Sequence, residues 1–145
     1  MNPFMAIAIA EAEASGNRGE IPVGAVVVKE GIVLARTGNM VCAWNDPTAH
    51  AEIVAIRMAT KFQESPRLDE CDLWVTLEPC SMCAMAMKLS RIRRLYFGAY
   101  NIKNGGVDHG SRVFDRDTCY HPEVIGGLEE RYTAELLVSF FRERR

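Results

Sequence analysis

The chain predicts an α/β fold with helices on both faces of a sheet, and three observations lead there. Strand-like and helix-like segments alternate from one end to the other. Residues 23–28 form a dense β-branched run without polar alternation, as in strands covered on both faces. Finally, 145 residues, 48% of them hydrophobic and 25% charged, suffice for one domain (residues 1–145) whose core needs no disulfides.

Each element follows from local signals. Phe4, Ile7, Ala8, Glu11, Ala12 and Ala14 lay out an Ala-rich first helix that stops at the breaker cluster Ser15-Gly16-Asn17. Residues 23–28 and 32–35, separated by Lys29-Glu30-Gly31, read as a hairpin. Residues 39–45 read as a loop, and Asp46-Pro47-Thr48 supplies cap residues for a helix over 49–58. Residues 73–77 make a third strand, Pro79 stands where proline opens a helix, and that helix runs over 80–89. A fourth strand at 95–98, a Gly-rich loop at 104–110 and a short fifth strand at 124–125 follow. An amphipathic helix over 132–144 closes the chain, which has no internal repeat and no linker long enough to divide domains.

A formal net charge of −2 excludes a broadly basic nucleic-acid coat while leaving room for a local basic patch. Five cysteines are an odd number, and two of them are spaced as metal ligands. Cys42, Cys71 and Cys119 therefore read as free thiols in a reducing compartment. No cationic stretch precedes the first apolar run, and residues 4–10 are too few to span a bilayer, so the expected location is cytoplasmic.

The chemistry concentrates in His50-Ala51-Glu52 and Pro79-Cys80-Ser81-Met82-Cys83. Thiolate and imidazole suit borderline-soft zinc, and catalytic zinc sites use three protein ligands where structural sites use four. His50, Cys80 and Cys83 make three, with no second CxxC and no nearby histidine pair to close the site. Glu52 is then the carboxylate that moves protons during the reaction. Two residues apart on a regular helix, His50 and Glu52 would face different ways. They share a site only if the metal lies at the end of the first turn, with two helix N-termini converging on it.

H-x-E followed by P-C-x-x-C is the signature of zinc-dependent nucleobase deaminases. With it, Ile21-Pro22-Val23-Gly24-Ala25, Asp46-Pro47-Thr48-Ala49-His50-Ala51-Glu52-Ile53 and Val75-Thr76-Leu77-Glu78-Pro79-Cys80-Ser81-Met82-Cys83 resemble the bacterial tRNA-specific adenosine deaminases. So do Arg91-Ile92, Phe97-Gly98-Ala99 and the tail Ser139-Phe140-Phe141-Arg142, so the likeness covers nearly the whole chain. These enzymes form a branch of the cytidine/deoxycytidylate deaminase superfamily. The resemblance implies a three-layer α/β/α sandwich with a five-stranded mixed sheet and one Zn2+ per subunit. It implies a homodimer that converts the wobble adenosine of a tRNA anticodon stem-loop, typically that of the arginine tRNA with anticodon ACG, to inosine.

Carried over by position, Val23 is an apolar wall against the flipped base, Asn39 bonds the nucleotide, and Ala51 makes a backbone contact to the base. Glu52 is the proton shuttle, and Lys103 matches a basic position near the RNA backbone. Phe141 and Arg142 join the substrate side through the tail, and Arg91, Arg93, Arg94, Arg144 and Arg145 are further candidates for the backbone path. Ordinary readings stand beside several of these: Asn39 as a turn residue, Val23 as plain core, the arginines as solvated surface. Gly38 replaces a common aromatic, Asn101 replaces a common Asp, and the 104–110 loop is longer than its counterpart. A deaminase of free bases or nucleosides, such as guanine or cytosine, uses the same zinc and glutamate and is the alternative.

Overall fold

Chain order gives helix α1 (Pro3–Asn17), strands β1 (Gly24–Lys29) and β2 (Ile32–Gly38), and a one-turn helix α2 (Val41–Trp44). Then come α3 (Ala51–Gln63), β3 (Cys71–Leu77), α4 (Ser81–Leu89), β4 (Arg94–Ala99), β5 (Glu123–Ile125) and α5 (Glu130–Glu143). The computed structural model describes residues 1–115 and 120–144, so the expected thiol Cys119 and the tail residue Arg145 lie outside the described residues. Among those described, no helix is long and apolar enough to cross a membrane.

One mixed sheet has the order β2-β1-β3-β4-β5. β1 pairs antiparallel with β2 and β3, whereas β3–β4 and β4–β5 are parallel. A parallel pair needs a crossover, which α4 supplies between β3 and β4. The apolar strands send side chains both ways. Ala25, Val27, Leu73, Val75 and Phe97 meet α3 and α4 through Ala51, Ala55, Cys83, Ala84 and Met87. Val26, Val28 and Trp74 meet Met5, Ala8 and Ile9 of α1, with Leu136 of α5 packed alongside. Helices thus cover both faces, giving the expected three layers.

Four local differences have physical causes. The buried stripe of α1 is Met5, Ala8, Ile9, Ala12 and Ser15, with Phe4 and Ile7 only at its margin, so the packing face is rotated from the expected one. The expected 39–45 loop contains α2, because the buried Glu20 accepts hydrogen bonds from the N–H groups of Cys42 (3.0 Å) and Ala43 (2.8 Å). Asp46 does not cap α3. It closes a turn of its own by accepting from the Thr48 N–H at 2.9 Å and the Thr48 hydroxyl at 2.7 Å, and α3 starts at Ala51. At Gly38 a Cβ would fall on the Ser15 hydroxyl of α1, so this chain has no room for the aromatic that the resemblance leads one to expect there.

The topology brings functional positions to one edge. Since β1 runs antiparallel to β2 and β3, its start lies with the ends of β2, β3 and β4. The carboxyl ends of parallel strands are the usual place for a ligand in such sheets.

Candidate active site

His50 and Cys80 are themselves N-cap residues, in extended backbone immediately before α3 and α4, and neither helix start has a side-chain cap. That resolves the two-residue spacing of His50 and Glu52. His50 stands outside the helix, while Glu52 lies in its first turn and is only 4% exposed. Cys83, one turn into α4, is fully buried. The uncapped N–H groups and positive helix ends at both starts favour thiolate.

The donor set fits zinc. His50 Nδ1 lies 3.6 Å from Cys80 Sγ and 3.7 Å from Cys83 Sγ, and the three ligand atoms all fall within 4.8 Å of one another. A tetrahedral zinc with ordinary Zn–S and Zn–N bonds sets sulfur and nitrogen about 3.6 Å apart. Among the described residues these three form the one His/Cys/Asp/Glu group of metal-holding geometry, and it offers three ligand atoms.

Electrostatics agree. Hydrogen bonding from Cys83, with His50 alongside, pulls the Cys80 thiol down to about 4. Cys83 is pushed up because it shares its proton with Cys80 and is buried. His50 is raised by its hydrogen bond to Cys80. Two sulfurs and an imidazole sharing protons at these distances form the pattern that a divalent cation displaces. Burial pushes the Glu52 carboxyl up to about 7, which suits a group that both takes and gives protons near neutrality.

A cavity of about 540 Å³ opens onto this cradle. His50, Ala51, Glu52 and Cys80 lie in its wall together with Val23, Asn39, Lys103 and Phe141. Asn39 Oδ1 accepts the Val41 N–H at 3.1 Å, as its turn reading expects, and the residue also lies in the cavity wall. Arg142 is exposed and outside the lining. The arginines at the start of β4 sit at the wrong end of that strand: the cavity takes residues 100–104, beyond its far end. Arg93 pairs through two bonds with Asp72, Arg94 pairs with Glu123, and Arg91 lies over the Tyr120 ring, so these three serve the opposite edge.

Sequence reasoning missed Glu78, which lines the cavity and has a fully buried side chain. Burial pushes its carboxyl up, but hydrogen bonds from His109 and from the N–H groups of Asn101, Asp108 and His109 outweigh that and hold it low. The signal was present as a glutamate amid apolar strand residues next to Pro79. Ile21, Tyr100, Ile102 and Leu137 of the wall were also missed, since no sequence pattern separates them from surface or core. Neither His109 nor His121 joins the cradle.

A three-ligand zinc cradle at the ends of two helices, with a buried carboxylate beside it and a cavity above, defines a zinc-dependent deaminase. Residues 1–99 match the family model for the cytidine and deoxycytidylate deaminase zinc-binding region. The tRNA-specific adenosine deaminase of Agrobacterium fabrum is 52% identical over 143 residues, 98% of this chain and 94% of the relative. A structure solved in work on A-to-I editing by tRNA:A34 deaminases at the wobble position is 52% identical with a TM-score of 0.90, covering 92% of this chain and 98% of that one. The guanine deaminase of Bacillus subtilis is more distant, at 32% identity and a TM-score of 0.67 over 99% of this chain and 94% of its own. The chain belongs to the cytidine and deoxycytidylate deaminase family, in its tRNA-specific adenosine deaminase branch.

Proposed function

We propose that this protein hydrolyses the wobble adenosine of a tRNA anticodon to inosine, releasing ammonia. One observation carries the chemistry: His50, Cys80 and Cys83 converge at zinc-binding distances beside the buried Glu52, at the wall of a cavity that opens to solvent. Zinc held by those three residues supplies Lewis acidity to the attacking water. Glu52 takes a proton from that water and delivers it to the ring nitrogen beside the amino-bearing carbon. The water oxygen bonds that carbon, Glu52 then takes the proton of the new C–OH and passes it to the amino group, and as the C=O forms the C–N bond breaks and ammonia leaves. Val23 forms the apolar wall beside the base, Asn39 bonds the nucleotide, and the Ala51 backbone contacts the base edge.

A base in a duplex is out of reach, and an anticodon loop can splay one out at little cost. Exposed Ile102, Lys103 and Phe141 at the mouth favour a polynucleotide over a free base, Lys103 by charge and Phe141 by stacking, with Arg142 on the approach. The identity to tRNA-specific relatives favours the same choice over deamination of free guanine or cytosine. The working form is a homodimer in the cytoplasm. Supporting it, α3 and α4, which touch each other, expose Met58 and Phe62 on one and Met85 and Leu89 on the other. Incubating the purified protein with an arginine-tRNA anticodon stem-loop, adenosine, guanine and cytosine separates the readings. Inosine in the stem-loop is expected, and ammonia from free bases alone overturns the proposal.

A further inference from the structure

The cavity wall at residues 101–104 belongs to a loop whose two ends close on one side chain. Glu78 Oε1 accepts the N–H of Asn101 at 3.1 Å and the Nδ1–H of His109 at 2.8 Å. Its Oε2 accepts the N–H groups of Val107 at 3.3 Å, Asp108 at 2.9 Å and His109 at 3.0 Å. A single fully buried carboxylate thus gathers five donors from both limbs of a nine-residue segment, 101–109. The approach leaves no slack. A Cβ on Gly105 would fall on the Asn101 carbonyl and the Glu78 carboxylate, and one on Gly106 would lie 2.5 Å from the Ser81 nitrogen at the start of α4.

Between the two anchored limbs the chain bulges outward. Ile102, 78% exposed, and Lys103 sit at that tip, and both line the cavity mouth. Residues 102–104 are exposed and form a turn that closes on Asn101, whose Oδ1 accepts the Asn104 N–H at 3.0 Å and whose carbonyl accepts the Gly105 N–H at 2.8 Å, so the tip follows the anchored limb. A carboxylate satisfied by several N–H donors is strong and directional, and losing half its acceptors leaves buried donors unpaired.

The geometry points to Glu78 as the positioning residue for the polynucleotide side of the site: it clamps the 101–109 loop so that Ile102 and Lys103 meet the nucleotides flanking the target base. This inference rests on the tRNA reading above. Glu78 does not touch the reacting atoms and acts through the loop it holds. The alternative is that Glu78 serves only to place Pro79 and Cys80 for the metal.

The test uses the zinc-loaded protein, with Glu78→Gln as the main variant and His109→Ala as the second. Gln keeps the shape but turns an NH2 group toward one set of donors. His109→Ala removes a single anchor and leaves the carboxylate in place should Glu78→Gln not fold. Three readouts are taken: KM and kcat on the anticodon stem-loop, zinc content, and hydrogen exchange of the 101–109 amides. For Glu78→Gln, KM is expected to rise about tenfold or more with kcat near the parent's, zinc retained and the amides exchanging faster. His109→Ala should show the same pattern more weakly. Zinc loss or a fall in kcat with KM unchanged would assign Glu78 to the metal site and overturn the clamp, as would unchanged KM and exchange in both variants. If the parent makes no inosine in the stem-loop, it is the tRNA reading that fails, and the exchange data still decide the clamp.

Discussion

Glu20 offers the most quantitative prediction, because one buried carboxylate holds the segment that follows Asn39. It is 2% exposed and accepts the N–H groups of Cys42 and Ala43 at 3.0 and 2.8 Å, fixing the first turn of α2. Hydrogen bonds to a charged group are each worth about 1.5–3 kcal/mol, but Cys42 and Ala43 are exposed, so water recovers part of that loss. Glu20→Gln keeps one acceptor and loses the charge, for a net cost near 2 kcal/mol. At this chain length that lowers Tm by about 4–8 °C. The pH dependence has a definite sign. Burial pushes the Glu20 carboxyl up, but the two N–H groups and nearby Arg18 outweigh it, and the folded value lies below the ordinary 4.5. A depressed carboxylate stabilises fully above its unfolded pKa, and that contribution disappears as the pH falls through the folded one. Gln does not titrate there, so the stability gap between the two proteins should be full at neutral pH and close in acid. Urea unfolding of both proteins across that range is the assay. A neutral-pH gap below about 0.5 kcal/mol, or one that persists unchanged in acid, refutes the reasoning.

Further outcomes follow from the site and its surroundings. Glu52→Gln should keep zinc, since Glu52 is outside the ligand group, yet lose about 10²–10⁴ in kcat; near-normal turnover would remove Glu52 as the proton carrier. Lys103→Ala should reduce the slope of log K against log salt for stem-loop binding by about one, whereas Arg93→Ala should leave it unchanged because Arg93 is engaged by Asp72 at the far edge. On the proposed homodimer, the parent should sediment as a dimer and Phe62→Glu with Leu89→Glu should shift it toward a monomer; a monomeric parent would overturn the dimer, and an unchanged dimer would place the interface elsewhere. Gly24→Ala puts a Cβ onto the Ala8 carbonyl of α1 and should cost about 1–3 kcal/mol in a melting experiment, with zinc retained.

The zinc ligands and Glu52 were legible in the sequence because metal chemistry restricts residue type and spacing together, and their convergence in the fold follows that restriction. The layers were legible too, since residues 23–28 are apolar at every position and strands of that kind need cover on two faces. What stayed hidden depended on partners distant in sequence. The turn of α2 exists through Glu20, some twenty residues earlier, and nothing local to residues 41–44 announces it. The arginines at 91–94 looked like a basic patch, yet Asp72 and Glu123, far off in sequence, neutralise two of them at the opposite end of β4 from the cavity.

Among the described residues the two buried carboxylates outside the metal cradle, Glu20 and Glu78, both accept from backbone N–H groups. The sheet edge supplies strand ends and two helix starts, which suffice to fix three zinc ligands and Glu52. The rest of the cavity is walled by Leu137 and Phe141 of α5 and by irregular backbone, at Asn39 before α2 and at residues 100–104 after β4. Irregular backbone has unpaired N–H groups, and burying them beside a cavity is costly unless something accepts their bonds. Glu78 does so behind the 100–104 wall, whereas Glu20 acts further out, on the exposed first turn of α2, and the N–H of Asn39 itself bonds the Val23 carbonyl at 3.1 Å. The metal cradle is thereby fixed by regular secondary structure, while the wall at residues 101–104 hangs on the Glu78 carboxylate. A change at Glu78 should therefore raise KM on the stem-loop before it lowers kcat.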